Sequence, residues 1–470
     1  MIVATGFSGK RVAVLGLARS GRAALRALLE GGAAVLAWDD SVKTRDAVAA
    51  EMPLVDPQLV DPQMVDWRGI AALVLSPGIP LTHPEPHPAV RCARDSGVEI
   101  IGDIELLGRA QPDSRYVGIT GTNGKSTTTA LIGHILAETG RRVEIGGNLG
   151  TPALSLAPLG ADGIYVLETS SFQLDLIETL AFEVAVLLNI TPDHLDRHGD
   201  MDAYVAAKKR IFARQGSGAA AIVGIDDPIC RDICDELRRA GRARVIPISV
   251  TQTVPGGVYA EAGWLIDATG ERPERVLDLA LAERLPGSHN AQNAAASYAA
   301  SRALGVDPDR IVAAIRSFPG LAHRQELVGT IGGVRYINDS KATNADAAEK
   351  ALACYDSIYW VLGGLPKAGG ITPLTSYFGR VRRAYLIGAA TEEFAATLGD
   401  AVPFKRCGDL AAALAAAHEE AQRDGVPGAV VLLSPACASY DQFPNFEVRG
   451  DRFRELVARL PGVMRPGERT

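Results

Sequence analysis

Residues 117–130, VGITGTNGKSTTTA, combine three glycines, a lysine and a run of hydroxyls, a mixture suited to phosphate chemistry. Gly121 and Gly124 free the turn, Lys125 can reach the β- and γ-phosphates of a nucleotide, and the Ser126 hydroxyl is placed for Mg²⁺ at a helix N-terminus. In the common pattern G-x-x-x-x-G-K-[ST] the first glycine falls six residues before the lysine. That position is Ile119 in this chain, so the loop departs from the usual form. Further along, Glu168 closes IYVLE, His194 lies in NITPDHLDRHG, and Lys208 lies in YVAAKKRIF, where Tyr204, Ala207, Lys208 and Ile211 share one helix face. Mg²⁺ prefers oxygen ligands, which makes Glu168 a natural ligand and His194 a less expected one. Taken singly, each has an ordinary alternative: an edge carboxylate, a loop histidine, a helix lysine in solvent.

A second set of residues lies near the start of the chain. VAVLGLARSG carries Gly16, Ala18 and Gly21 at the spacing of the dinucleotide turn G-x-G-x-x-G, with Asp39 and Asp40 ending the next apolar run. Small residues there let backbone N–H groups face a phosphate, and the acid can accept hydrogen bonds from a ribose. By itself the turn suggests a nicotinamide dehydrogenase, although Ala18 adds a methyl where the backbone should approach the pyrophosphate most closely. The loop Ser76-Pro77-Gly78-Ile79 ends another apolar run and belongs at the same carboxyl edge, unless it is a plain Pro-Gly turn.

These residues need elements to hold them. RVAVLGL, AAVLAWD, ALVLSPG, YVGIT, IYVLE, VAVLLNI, AAAIVG, VRYIND, IYWVLGG, RAYLIG and AVVLLSP read as strands alternating with helical patterns, which predicts an α/β protein with parallel sheets. STTTALIGHILAET places Leu131, Ile132, Ile135 and Leu136 at helical spacing behind the phosphate loop. Breaks near 102–115 and 318–326 divide the 470 residues into three expected domains, 1–107, 108–320 and 321–470. A net charge of -7 with 22% charged residues does not suggest a basic nucleic-acid surface and favours small metabolites as partners. The six cysteines show no paired C-x-x-C spacing, so reduced thiols are expected rather than a zinc site or a disulfide framework. No signal segment and no run of 18 apolar residues is found, so a cytoplasmic protein without a membrane span is expected.

Together GITGTNGKSTTT, LETSSFQL, NITPDHLDRH, YVAAKKRI, GSHNAQNAAA, HRQE, INDSKATN and SPACASYDQFPNFEVRG resemble the Mur ligases of bacterial peptidoglycan synthesis. The matches run in order through all three expected domains. That family writes its phosphate loop T-G-[ST]-N-G-K-[ST], which places Ile119 in pattern. Folylpolyglutamate synthetases share the loop style but usually carry Gly after the lysine, where this chain has Ser126. The branch that adds diaminopimelate or lysine carries Asp-Asn-Pro-Arg in its last domain, and this sequence has no such run. NDSKATN and SPACASYDQF resemble the branch that adds D-glutamate to UDP-N-acetylmuramoyl-L-alanine.

The resemblance implies an ATP-dependent ligase working through an acyl phosphate. It implies a Rossmann-like N-terminal UDP-binding domain, a central P-loop-type ATPase domain with a mainly parallel sheet, and a Rossmann-like C-terminal domain for the amino acid. ATP would be held by Gly121, Thr122, Asn123, Gly124, Lys125, Ser126 and Thr127 with Asn290, Asn293, Arg324 and Asp339. Two Mg²⁺ ions, with Mn²⁺ as an alternative, would be held by Ser126, Glu168, His194 and a Lys208 carbamylated by CO₂. The UDP substrate would meet Gly16, Leu17, Ala18, Asp39, Asp40, Ser41, Ser76, Pro77, Gly78 and Ile79, with Asn148, Gln173 and His194 nearer its sugar and peptide. D-glutamate would meet Thr343, Lys367, Ser439, Tyr440 and Phe446. Asp40 stands where some relatives have threonine, and Tyr440 where well-known members have a smaller apolar residue. A monomer is expected. On the residues alone, helix capping by the asparagines, a solvated loop Lys367, a nicotinamide oxidoreductase and a nucleotide-sensing switch all stay open.

Overall fold

Apolar, β-branched runs bounded by glycine or polar residues pair into three sheets in the computed structural model, which describes residues 1–52, 58–148, 150–366, 369–462 and 464–465. The first sheet joins β1 (Arg11–Leu15), β2 (Ala34–Trp38), β3 (Gln58–Leu59), β4 (Ile70–Leu75) and β5 (Glu99–Ile101). Its order is β3-β2-β1-β4-β5 and every pairing is parallel. Strand order reverses between β1 and β4, so the turns that follow them open on one crevice, where ligands of such sheets collect.

The central sheet holds β6 (Arg115–Thr120), β7 (Arg142–Gly147), β8 (Gly163–Glu168), β9 (Val184–Leu187), β10 (Ala220–Gly224), β11 (Arg244–Ser249), β12 (Val258–Glu261), β13 (Trp264–Asp267) and β14 (Glu274–Asp278). The order is β14-β13-β12-β11-β10-β9-β6-β8-β7, parallel from β7 to β12 and antiparallel beyond. β6 therefore lies inside the sheet with β8 and β9 beside it, and the helix Lys125–Glu138 that follows buries Leu131, Ile132, Ile135 and Leu136 as its spacing predicts. The helix lies tight against β7: a Cβ on Gly133 would stand 2.1 Å from Ile145 Cδ1.

The third sheet contains β15 (Glu326–Ile331), β16 (Val334–Asn338), β17 (Ile358–Gly363), β18 (Val381–Ile387), β19 (Phe404–Gly408), β20 (Val430–Leu433) and β21 (Met464–Arg465). It runs β19-β18-β17-β20-β16 in parallel, then β15 and β21 antiparallel. Every strand predicted from an apolar run is present. Strands such as β7 (RVEIGG) and β19 (FKRCG) carry too much polarity to be read from the sequence, and pairing with a neighbour specifies them instead.

The chain packs as two compact units, Met1–Leu279 with Asn290–Ile315, and Ala280–His289 with Arg316–Thr470. The first two sheets share the first unit. They are joined by the helix Asp103–Ala110, whose fully buried Glu105 accepts the N–H groups of Glu178, Thr179 and Leu180 at 3.0, 3.0 and 3.1 Å and the Arg109 guanidinium at 2.8 Å. Among the described residues no helix is long and apolar enough to cross a membrane.

Candidate active site

The phosphate loop leaves β6 and enters the helix at Lys125. Gly121 has φ of +151° and Gly124 φ of +85°, conformations that only glycine adopts cheaply. Space is also short there, because a Cβ on Gly124 would stand 2.4 Å from Asn293 Oδ1. Asn189 braces the turn, its side-chain oxygen accepting the Asn123 N–H at 2.8 Å and its backbone carbonyl the Thr122 N–H at 2.9 Å. Lys125 Nζ donates to the Gly121 and Thr122 carbonyls, both at 2.9 Å, and so folds back over its own loop. Asn293 Oδ1 accepts the Thr128 hydroxyl at 3.1 Å, and Asn293 Nδ2 donates to Asn290 Oδ1 at 3.0 Å. Both asparagines are buried inside the helix Ser288–Ala303, and Asn293 packs against the phosphate loop rather than capping a helix end.

Lys208 and Glu168 lie beside this loop by different routes, and His194 lies near Phe172 and Tyr204. Lys208, 2% exposed, donates from Nζ to the Gly121 carbonyl at 2.9 Å, and its Nζ lies 4.7 Å from the Tyr204 ring centre. Burial, reinforced by the positive charge of Lys125, lowers its pKa to about 7. The helix lysine that the sequence left between solvent and site is thus internal. Glu168 ends β8, 3% exposed; Oε1 accepts Asn148 Nδ2 at 2.7 Å, whereas buried Oε2 has no hydrogen-bond partner among the described residues. His194 sits in the left-handed region at φ of +52°, half exposed, with its ring 5.0 Å from Phe172. Tyr204 links this wall to the phosphate loop, its hydroxyl 3.1 Å from Thr122 Oγ1.

An orphaned buried carboxylate oxygen beside a hydroxyl-bearing phosphate loop fits a hard divalent cation. Among the described residues no cluster of three or more His, Cys, Asp or Glu could hold a metal alone. A cation there needs phosphate or water oxygens as well, the usual habit of Mg²⁺.

The first-sheet crevice is built from the expected loops. Gly16 takes φ of +85° after β1, and Ser76 Oγ donates to its carbonyl at 2.7 Å. Asp39 braces rather than reaches out, accepting the Leu17 N–H at 2.7 Å and the Ser41 N–H at 2.9 Å. Ala18 caps the helix Arg19–Glu30 without a side-chain bond. Asp40 is exposed and meets His87 Nε2 at 3.2 Å and Trp38 Nε1 at 3.2 Å. Gln173 is buried, donating to Asp103 Oδ1 at 3.2 Å while its oxygen accepts the Ser170 N–H at 3.2 Å, so its amide works inside the protein.

In the second unit Asp339 follows β16. It accepts the Ser434 hydroxyl at 2.8 Å and the Gln325 N–H at 3.1 Å, and burial pushes its carboxyl up to about 7. Arg324 is flanked by His323 and Gln325 at φ of +60° and +43°, an unusual pair of left-handed conformations for non-glycine residues. Thr343 donates its N–H to the Lys341 carbonyl at 2.8 Å, Ser439 is buried, and Tyr440 is 71% exposed. Phe446 opens the helix Phe446–Ala458, capped by Asn445, with its ring 6.3 Å from His323. Lys367 lies outside the described residues.

Three residues escaped the sequence reading. Arg449 is buried under the second-unit loops, bonded to Ser340 Oγ at 2.9 Å and to the carbonyls of Ser340 and Cys437 at 2.8 and 3.1 Å. His198 holds Ser171 Oγ at 2.9 Å, and Arg197 reaches the carbonyls of 77–79. All three lie within the motif runs quoted above, but only folding reveals their partners.

A phosphate loop with a buried lysine and an unsatisfied carboxylate, carried on a mostly parallel sheet between two smaller doubly wound ones in sequence, defines an α/β nucleotide-dependent enzyme. The family profile of the Mur ligase middle domain matches residues 119–301, and that of the Mur ligase glutamate ligase domain matches 323–437. The chain is 53% identical over 467 residues to a UDP-N-acetylmuramoylalanine–D-glutamate ligase of Caulobacter sp. (strain K31), covering 98% of each. It is 55% identical over 450 residues to the enzyme of that name from Paramagnetospirillum magneticum, covering 96% of each. Among solved structures, the UDP-N-acetylmuramate-alanine ligase of Thermotoga maritima aligns with TM-score 0.57 at 16% identity, over 96% of this chain and 99% of that one, a likeness of fold. This chain belongs to the Mur ligase family.

Proposed function

We propose that the protein joins D-glutamate to UDP-N-acetylmuramoyl-L-alanine at the expense of ATP, in peptidoglycan precursor synthesis. The likeness over nearly the full chain to ligases of that name supports this, and the site observation that carries it is the meeting of the Lys125 loop, buried Lys208 and the unsatisfied Glu168. The alanine carboxylate attacks the γ-phosphorus of ATP; an O–P bond forms and ADP leaves. The amine of D-glutamate then attacks the acyl carbon, an amide bond forms, and phosphate departs with the proton lost by the amine. A free carboxylate is a poor electrophile, so the first step supplies the leaving group. The chain's task is alignment and charge neutralisation.

In this reading Lys125 and the loop N–H groups hold the phosphates, with Asn290, Asn293, Arg324 and Asp339 as further nucleotide contacts. Ser126, Glu168, His194 and Lys208 would hold Mg²⁺, which when bound neutralises phosphate charge. Lys208 suits carbamylation because a pKa near 7 leaves much of it as the neutral amine that can add to CO₂ with release of a proton. The crevice at Gly16, Leu17, Ala18, Asp39, Asp40, Ser41, Ser76, Pro77 and Gly78 takes the UDP group, with Asn148 and Gln173 toward the sugar. Thr343, Lys367, Ser439, Tyr440 and Phe446 form the D-glutamate pocket. We further propose domain limits at 1–107, 108–320 and 321–470, and a cytoplasmic monomer.

The deciding experiment is phosphate release with ATP, Mg²⁺ and UDP-N-acetylmuramoyl-L-alanine, offering D-glutamate, L-glutamate, L-lysine or diaminopimelate. Release with D-glutamate alone, and a product heavier by one glutamyl residue, is expected. Turnover with another acceptor would refute the assigned specificity.

A further inference from the structure

We propose that Arg197 is a positioning residue that straps the UDP-substrate loop Ser76–Ile79 to the phosphoryl-transfer site. The inference rests on the substrate assignment of the preceding section, but its geometry stands on its own. Arg197 belongs to the one-turn helix Leu195–His198 of the central domain. Its guanidinium leaves that domain and donates to three successive carbonyls of the loop after β4: Nη1 to Gly78 at 2.7 Å, and Nη2 to Pro77 at 3.3 Å and Ile79 at 2.9 Å. The planar guanidinium holds its donors in a fixed fork, so two of its nitrogens reach three neighbouring carbonyls, whereas a lysine ammonium offers one compact, rotatable donor group without that spread.

The Arg197 end of the strap is held by packing. The guanidinium carbon lies 4.8 Å from the Phe172 ring centre, and Phe172 also meets His194. The neighbouring His198 is buried, bonded to Ser171 Oγ at 2.9 Å, and its ring stacks on Phe172 at 5.3 Å and tilts against Tyr204 at 5.4 Å. Tyr204 in turn meets Thr122 of the phosphate loop and the Lys208 ammonium. A displacement of the turn would therefore disturb both sites together. At the loop end the peptide plane transmits the contact: pinning the Pro77 carbonyl on Arg197 turns the trans Gly78 N–H away from the guanidinium. Desolvation lowers the Arg197 pKa, as partial burial of a cation does.

The test compares wild type with R197K and R197M by steady-state kinetics and by amide hydrogen exchange of the segment containing 76–79, with thermal unfolding as a check of folding. The expected result is at least tenfold faster exchange in that segment for both variants. A rise of about tenfold or more in KM for UDP-N-acetylmuramoyl-L-alanine should accompany it, with KM for ATP within about twofold of wild type. Unchanged exchange in folded variants would overturn the strap whatever the activity. Faster exchange with an unchanged KM for the UDP substrate would overturn its role in positioning that substrate. If wild type itself fails to turn over this substrate, the substrate reading fails, while exchange still decides the strap.

Discussion

A buried ammonium loses its hydration, so Lys208 holds its proton weakly, and its neutral fraction grows as pH rises through about 7. Ligase activity that depends on a carbamate there should have an acidic limb with an apparent pKa near 7, and added bicarbonate should raise activity most on that limb. Lys208→Ala should lose at least 100-fold in kcat, with partial recovery in small carboxylic acids, because a carboxylate is what the site then lacks. An active, metal-loaded enzyme with an unmodified lysine by mass spectrometry would end this account. In the proposed function Lys125 has a different task, charge against phosphate. Lys125→Ala should cost about 10³-fold or more in phosphate release while leaving circular dichroism unchanged; near-normal turnover would remove the phosphate-loop assignment.

At the scale of elements, close approach matters more than residue chemistry. The helix Arg19–Glu30 packs so closely on the turn after β1 that a Cβ on Gly21 would stand 1.7 Å from the Gly16 carbonyl oxygen. Gly21→Ala should therefore force helix and turn apart, destabilising the protein by about 2 kcal/mol or more and weakening the UDP substrate while sparing ATP. Titration calorimetry with each ligand separates those effects. Glu105 shows the same logic between elements. It is buried with three backbone donors and an arginine, so Glu105→Ala would strand them at a cost of about 3–5 kcal/mol, measurable by urea unfolding.

At the scale of the whole molecule, two compact units make a single unfolding free energy ill-defined, and their pH responses should differ. Asp339 in the second unit has a folded pKa near 7, above the ordinary carboxyl value near 4. The folded state binds the extra proton between those values, so its contribution is full below about 4 and is lost as pH rises through about 7. Lys208 in the first unit works oppositely: the unfolded chain binds the extra proton between about 7 and 10, so its contribution to stability grows with pH across that window. Asp339→Asn should raise the second-unit transition at pH 8 and have little effect at pH 4, as scanning calorimetry would show.

The sequence alone determined the strands whose apolar runs are long, the phosphate loop and the helix behind it, and the motifs that mark the family, because periodicity and glycine placement are local properties. Polar strands such as β7 and β19 were illegible because their pairing partners, rather than their composition, make them strands. The same limit applied to side chains. Nothing local says that Lys208 is internal, that Asp39 and Gln173 spend their polar atoms on the protein itself, or that Arg197 would cross to the loop at 77–79. Burial and hydrogen-bond partners belong to residues tens or hundreds of positions apart, so only the tertiary structure, by bringing those residues together, decided them.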